Sequence, residues 1–205
     1  MLIVLLVVLL TPEQDYSYNG FAITKAACTG SDLTCYYVAF AIRDKPYTIS
    51  FYNHPQDVDN ITVTATALRL ALLMEEVENN TVYIAVPPDV PGQYGVAGVA
   101  LARIMGTRYG IMNLNVKGAA YGKDAGEINC SHATPQTVVV VLQPSVADAV
   151  GVPVPGCIVM TATSPDMAIA VSEAFTYRML GVIPTFVRAP KDENTSGNST
   201  NGTLL

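Results

Sequence analysis

The sequence predicts an α/β fold: a mixed, mostly parallel sheet flanked by about three helices, with an N-terminal β-hairpin and a disordered C-terminal tail. Three observations predict it. TVVVVLQP (137–144) and CIVMTAT (157–163) are continuous apolar runs, as in strands covered on both faces. Segments with apolar residues at helical spacing alternate with strand-like runs. Over 81–116, strand, helix and strand follow at the length of a right-handed crossover unit.

The chain opens with an apolar run, MLIVLLVVLL, within residues 1–11. Ten helical residues span about 15 Å, half of a ~30 Å hydrocarbon core, so the run cannot cross a bilayer alone. It matches the apolar middle of a signal peptide but has no positive leader and no small-x-small cleavage site. It reads as the remnant of an export signal or anchor, giving membrane association through residues 1–10. A buried first strand is the competing reading. Residues 12–20 (PEQDYSYNG) are polar and turn-prone, a linker before a single α/β domain at 21–188.

Residues 21–27 and 35–52 read as strands, with a hairpin turn at Asp44-Lys45-Pro46. NHPQDVDNIT reads as a loop, and 64–78 as a helix whose acidic end opposes the helix dipole. TVYIAV (81–86) is a buried strand ending at Pro87-Pro88. A small-residue helix follows at 93–105, with Val96, Val99, Ala100 and Ile104 at helical spacing and Gly106 as its stop. Gly92, Gly95 and Gly98 do not make the dinucleotide fingerprint; they fit close helix–sheet packing. Residues 109–116 resume extended structure, and 118–136 form a long irregular loop. After the strand at 137–144, SVADAVG reads as one helical turn. Beyond the strand at 157–163, Ser164 caps a helix, Pro165 takes its first position and Asp166 faces its positive end. Met167, Ala170, Val171, Ala174 and Phe175 point inward, and Gly181 ends the helix. The run 189–205 is too poor in apolar residues to fold.

Half of the 205 residues are apolar and 14% are charged. A core is well supplied, while charge is sparse even for a surface. The net charge of −6, without a basic stripe, argues against nucleic acid as a partner.

Six of the eleven asparagines stand in Asn-x-Ser/Thr triplets: Asn60, Asn79, Asn129, Asn194, Asn198 and Asn201. Serine and threonine fill about a seventh of the chain, so chance gives roughly one or two such triplets. The excess points to glycan acceptors on an extracytoplasmic surface. Four cysteines fit two disulfides in an oxidising compartment, and three pairings are open in principle. Cys28 and Cys35 bracket a short turn-rich stretch, while Cys130 and Cys157 each precede an apolar strand. Neighbouring strand starts can come within disulfide reach, which favours Cys28–Cys35 and Cys130–Cys157. Zinc lacks the C-x2-C or H-x3-H spacing it needs, so no metal is assigned.

Catalytic signals are sparse. His54, with Asp57 and Asp59 nearby, has the elements of a general base with an orienting carboxylate or of a metal-ligand fragment, though Asn-His-Pro is also a plain turn. Asp89 and Asp166 follow the carboxyl ends of two strands, where ligands bind in open α/β sheets. Glu127 and Asp148 are candidates by location alone, and His132 stands beside Cys130. There is no G-x-S-x-G elbow, no phosphate cradle and no cofactor motif.

Several stretches resemble a group of small archaeal membrane-anchored or secreted α/β proteins with no established activity. They are the tyrosine-rich hairpin leading into FYNHPQDVDNI, VYIAVPPD, MGTRYGIMNL, NCSHATPQTVVVVL and CIVMTATSPDMAIAVSEAFTYRMLGVI. Together they cover roughly 36–183. The resemblance implies a Cys130–Cys157 bond and a domain outside the membrane. The favoured reading is an N-glycosylated cell-envelope or surface protein, structural or binding rather than enzymatic, that self-assembles or joins other envelope components. The alternatives are a secreted hydrolase of cell-wall glycan or peptide, using His54, Asp57, Asp89 and Asp166, or a ligand-binding module at the strand-end crevice.

Overall fold

A computed structural model describes residues 14–107 and 111–185. The apolar run at 1–10 and the tail acceptors Asn194, Asn198 and Asn201 lie outside the described residues. The fold is α/β, built on two sheets. Four antiparallel strands form a meander in the order β1-β2-β3-β4: Gln14–Tyr18, Phe21–Ala27, Thr34–Ile42 and Lys45–Phe51. Six strands form the larger sheet, in the order β5-β9-β10-β8-β6-β7. These are β5 (Thr62–Val63), β6 (Thr81–Val86), β7 (Val116–Ala120), β8 (Thr137–Pro144), β9 (Ala149–Val154) and β10 (Cys157–Ala162). Only the β9–β10 pair in that sheet is antiparallel.

The meander is larger than a hairpin because the polar run taken as a linker contributes a strand. Residues 14–18 pair with β2 in full register, from Gln14 opposite Lys25 to Tyr18 opposite Phe21. Asn19 (φ 49°) and Gly20 (φ 85°) supply the two left-handed residues of a tight hairpin turn. The β3–β4 turn also uses two left-handed residues, Arg43 (φ 52°) and Asp44 (φ 62°), one position earlier than the sequence suggested.

The helices are α1 (Pro55–Val58), α2 (Ala65–Leu73), α3 (Gln93–Met105) and α4 (Pro165–Met179). The stretch read as a loop at 53–62 thus holds α1 and the short β5. The helix expected to reach residue 78 ends in a 3-10 turn at Met74–Glu76. The crossover β6-α3-β7 is present, with β6 and β7 parallel. Its return strand is β7, later than the expected 109–116, and it takes the start of the expected long loop. Of the three glycines near α3, only Gly98 marks a close approach. A Cβ there would sit 3.2 Å from Ile84 on β6, whereas Gly92 and Gly95 face open space.

The expected helical turn at 145–151 is a correction. Residues from Ala149 form β9 instead. Val150 is fully buried against β10, and Pro153 bars a helix from continuing beyond the turn. Pro155-Gly156 then turns the chain, with Gly156 at φ 77° as a type II turn demands.

One face of the large sheet packs on the helices: Val82, Ile84, Val138, Val140, Leu142, Ile158 and Met160 join Ala97, Leu101, Ile104, Val171 and Phe175 in the main core. The other face carries Ala85, Val139, Val141 and Cys157, covered by Tyr121, Ile128, Cys130 and Ala133 of the irregular segment. Loop and disulfide therefore do the covering that a helix layer does in doubly wound folds. The meander's Ile23, Val38, Ile49 and Phe51 belong to the main core as well, and Phe51 meets Tyr177 of α4 at 4.1 Å between ring centres. Helix α4 packs between α3 and the large sheet, with the meander reaching it through Phe51, and is buried at every residue from Ala170 to Tyr177. The one-sided reading of this helix missed that its polar face, Ser172, Glu173 and Thr176, is inside too.

No helix among the described residues is long and apolar enough to cross a membrane.

Candidate functional site

A cleft of about 1020 Å³ opens where the end of β1, the α1–β5 connection and the last turn of α4 meet. Each element delivers polar side chains, Tyr18 from β1, Asp59 and Asn60 from the α1–β5 connection and Arg178 from α4. The Asn19-Gly20 turn reverses the chain right after Tyr18, and Asn19 Nδ2 donates to the Val182 carbonyl at 3.0 Å, fixing that turn against the end of α4. Tyr18 donates its hydroxyl to Asp59 Oδ2 at 3.1 Å. Arg178 donates from Nη2 to the Asp59 carbonyl at 2.6 Å and from Nη1 to the Ala174 carbonyl at 3.1 Å. Burial presses the Arg178 guanidinium below its usual range, offset by the Asp59 carboxylate and by Tyr18. Burial pushes the Tyr18 phenol up, and its bond to Asp59 pushes the same way. Both shifts mark a partly dry site in which an arginine stays charged beside an acid.

Behind Tyr18 lies His54, the residue the sequence singled out first. Its Nδ1 accepts from the Gln56 backbone N–H at 3.2 Å, capping α1 ahead of Pro55. The ring meets Tyr36, Tyr16 and Tyr18 edge-on at 5.3, 5.8 and 6.0 Å between centres. With Nδ1 accepting, the neutral ring carries its proton on Nε2, and Nε2 is buried without a hydrogen-bond partner among the described residues. The arrangement caps and packs; proton transfer would require the ring to leave it. Asp57 is exposed in the first turn of α1.

Below His54, Glu173 of α4 anchors the chain that carries it. It is 2% exposed and accepts from Tyr52 N (2.6 Å), Asn53 N (2.9 Å) and Asn53 Nδ2 (2.7 Å). Tyr177 adds a bond from its hydroxyl to the Asn53 carbonyl at 2.7 Å. Burial raises the Glu173 carboxyl to about 7 against the opposing pull of those donors. Burial, then the Glu173 charge, pushes the Tyr177 phenol far up.

The remaining candidates are spread over the molecule. Asp89 is exposed after β6, and Asp166 is exposed in the first turn of α4. Asp166 precedes Glu173 by seven helical residues, a rise of roughly 10 Å, so Asp166 and His54 are served by different ends of α4. Asp148 accepts from Thr163 N at 2.7 Å and from its hydroxyl at 3.0 Å, clasping the start of β9 to the end of β10. Glu127 accepts from Asp124 N within its own turn. His132 closes a capping box with Asn129. Among the described residues no cluster of three or more His, Cys, Asp or Glu side chains could hold a metal ion.

Tyr18, Arg178 and Glu173 went unnoticed in the sequence. The alternation Tyr16-Ser17-Tyr18 before Asn19-Gly20 was a strand-and-turn signal that could have found the first. An arginine in the last turn of a helix, or a glutamate on its face, has no distinguishing local pattern.

Both disulfides form as expected, Cys28–Cys35 and Cys130–Cys157, and no cysteine is free. Such full pairing belongs to a chain folded outside the reducing cytoplasm. The acceptors differ in access. Asn60 and Asn79 are exposed, whereas Asn129 is half-buried, with its Nδ2 donating to the Gly122 carbonyl at 2.8 Å and its Oδ1 taken by Ser131. No protein-family model, curated protein or solved structure matches the chain.

Proposed function

We propose that this chain is an N-glycosylated protein of the cell envelope or cell surface with a structural or binding role. The observation that carries this reading is the closure of all four cysteines into two bonds in a chain rich in acceptor triplets. Two of those acceptors, Asn60 and Asn79, are exposed on the folded surface. A sparsely charged protein gains solubility from sugars at such positions. The resemblance to small archaeal envelope proteins points the same way, with further copies of the chain or other envelope components as partners. His54, Asp89 and Asp166 sit in three separate surroundings, which favours this reading over a hydrolase.

The test is the intact mass of natively expressed protein, before and after glycan removal and thiol reduction. The expected result is sugar on at least Asn60 or Asn79 and no free thiol. Bare asparagines with four free thiols would reject the reading.

A further inference from the structure

The Tyr18–Arg178 cleft contains a complete acceptor triplet. Asn60 and Thr62 both line it, with Ile61 between them. Asn60 is exposed, and its side chain makes no hydrogen bond among the described residues. The walls combine hydrogen-bonding groups with apolar surface. Tyr18, Ile183 and Pro184 offer ring and aliphatic carbon; Arg178 and Asp59 offer donors and acceptors. A pyranose ring presents the same mixture, with hydroxyls at its rim and C–H groups on its faces.

Charge narrows the ligand class. Arg178 spends two of its five N–H donors on carbonyls, leaving three. Its positive charge is already matched by the Asp59 carboxylate nearby, so the cleft offers directional bonds without a net charge. That suits a neutral polyhydroxyl better than an anion. The volume, about 1020 Å³, stands at the top of the ordinary range for ligand clefts of about 300–1000 Å³.

We propose that the cleft seats the protein's own Asn60-linked glycan, with its first neutral sugar rings folded back onto Tyr18 and Arg178. The proposal rests on the glycoprotein reading above. The sugar covers the seam between β1, the α1–β5 connection and the end of α4, and holds the three together. Asn79 is the internal control. It borders a smaller groove, about 620 Å³, lined by no aromatic side chain among the described residues.

Site occupancy and thermal unfolding test it, using the full chain from a glycosylating host. Asn60 is expected to carry sugar. Asn60→Gln and Thr62→Ala, which both abolish the triplet, are expected to lower Tm by roughly 3 °C or more. Thr62→Ser, which preserves it, and Asn79→Gln are expected to leave Tm within about 1 °C. In a host that adds no glycan, Asn60→Gln is expected to have no effect, which a purely structural role for the amide would not give. If Asn60→Gln fails to fold, the Thr62→Ala and Thr62→Ser pair decides the matter. A bare Asn60 beside other occupied acceptors would overturn the proposal and leave the glycoprotein reading standing. So would an occupied Asn60 whose loss does not move Tm. If no acceptor carries sugar, both fall together.

Discussion

Asn53 places two hydrogen bonds on one carboxylate oxygen of Glu173, from its backbone N at 2.9 Å and from its side-chain Nδ2 at 2.7 Å. Tyr52 N takes the other oxygen. A single buried acid on α4 therefore fixes the chain leaving β4, and with it His54.

Glu173 makes stability depend on pH. Its folded carboxyl titrates at about 7 against an ordinary 4.5, so between those values the folded state holds more protons than the unfolded. Stability from this group is complete below about 4.5 and is lost as pH rises through 7. The full change is on the order of 3 kcal/mol. Denaturant unfolding from pH 4 to 8 should show that decline, and Glu173→Gln should flatten it. A Glu173→Gln variant with an unchanged slope would refute the assignment.

The two disulfides should contribute unequally. Cys28–Cys35 closes 7 residues and Cys130–Cys157 closes 27. Loop-closure entropy assigns about 2.4 and 3.5 kcal/mol. The longer bond also pins the segment that covers Ala85, Val139 and Val141. Paired cysteine-to-alanine variants, compared by urea unfolding, should lose more at 130/157, with increased binding of an apolar dye. Equal losses would contradict this.

The β3–β4 turn leaves room for gain. Asp44 occupies a left-handed conformation, φ 62°, that glycine adopts freely. Asp44→Gly should stabilise the protein by up to about 1 kcal/mol, since it keeps Arg43 and the 3.0 Å ion pair to Glu75. Chemical denaturation reads the change, and a loss of stability would count against the turn geometry.

Acceptor use should follow local access. Glycopeptide mapping should find Asn79 occupied and Asn129 bare once folding precedes sugar transfer. Asn129 is half-buried with its Nδ2 against the Gly122 carbonyl and its Oδ1 held by Ser131, so the folded loop leaves little room for sugar transfer. A fully occupied Asn129 would mean that sugar is added before the Cys130 loop closes.

Legibility followed the range of the interactions. The strands at 81–86 and 137–144 and the helix at 93–105 lie where the sequence put them, because apolar runs and a glycine stop act locally, but Val96 and Val99 face solvent and the helix buries Tyr94, Ala97 and Leu101 instead. Ser164, Pro165 and Asp166 open α4 as read, for the same reason. Strand β1 was hidden by its polarity: Asp15 and Ser17 alternate with tyrosines that pack on His54, a partner nearly forty residues away. Strand β9 was hidden by a short apolar stretch that suits helix and strand alike until Pro153 is weighed. The cleft was the least visible feature, since Tyr18, Asp59 and Arg178 come together only after the segments that carry them have folded.

Helix α4 holds the chain leaving the meander, and its bonds to Tyr52 and Asn53 span 121, 120 and 124 residues. The meander is synthesised before the helix that completes it. During synthesis or passage through a membrane, Ile23, Val38, Ile49 and Phe51 must wait uncovered while more than a hundred further residues emerge. Folding of this chain is therefore slow in onset, and the waiting interval is when the nascent meander most needs a chaperone or holding factor.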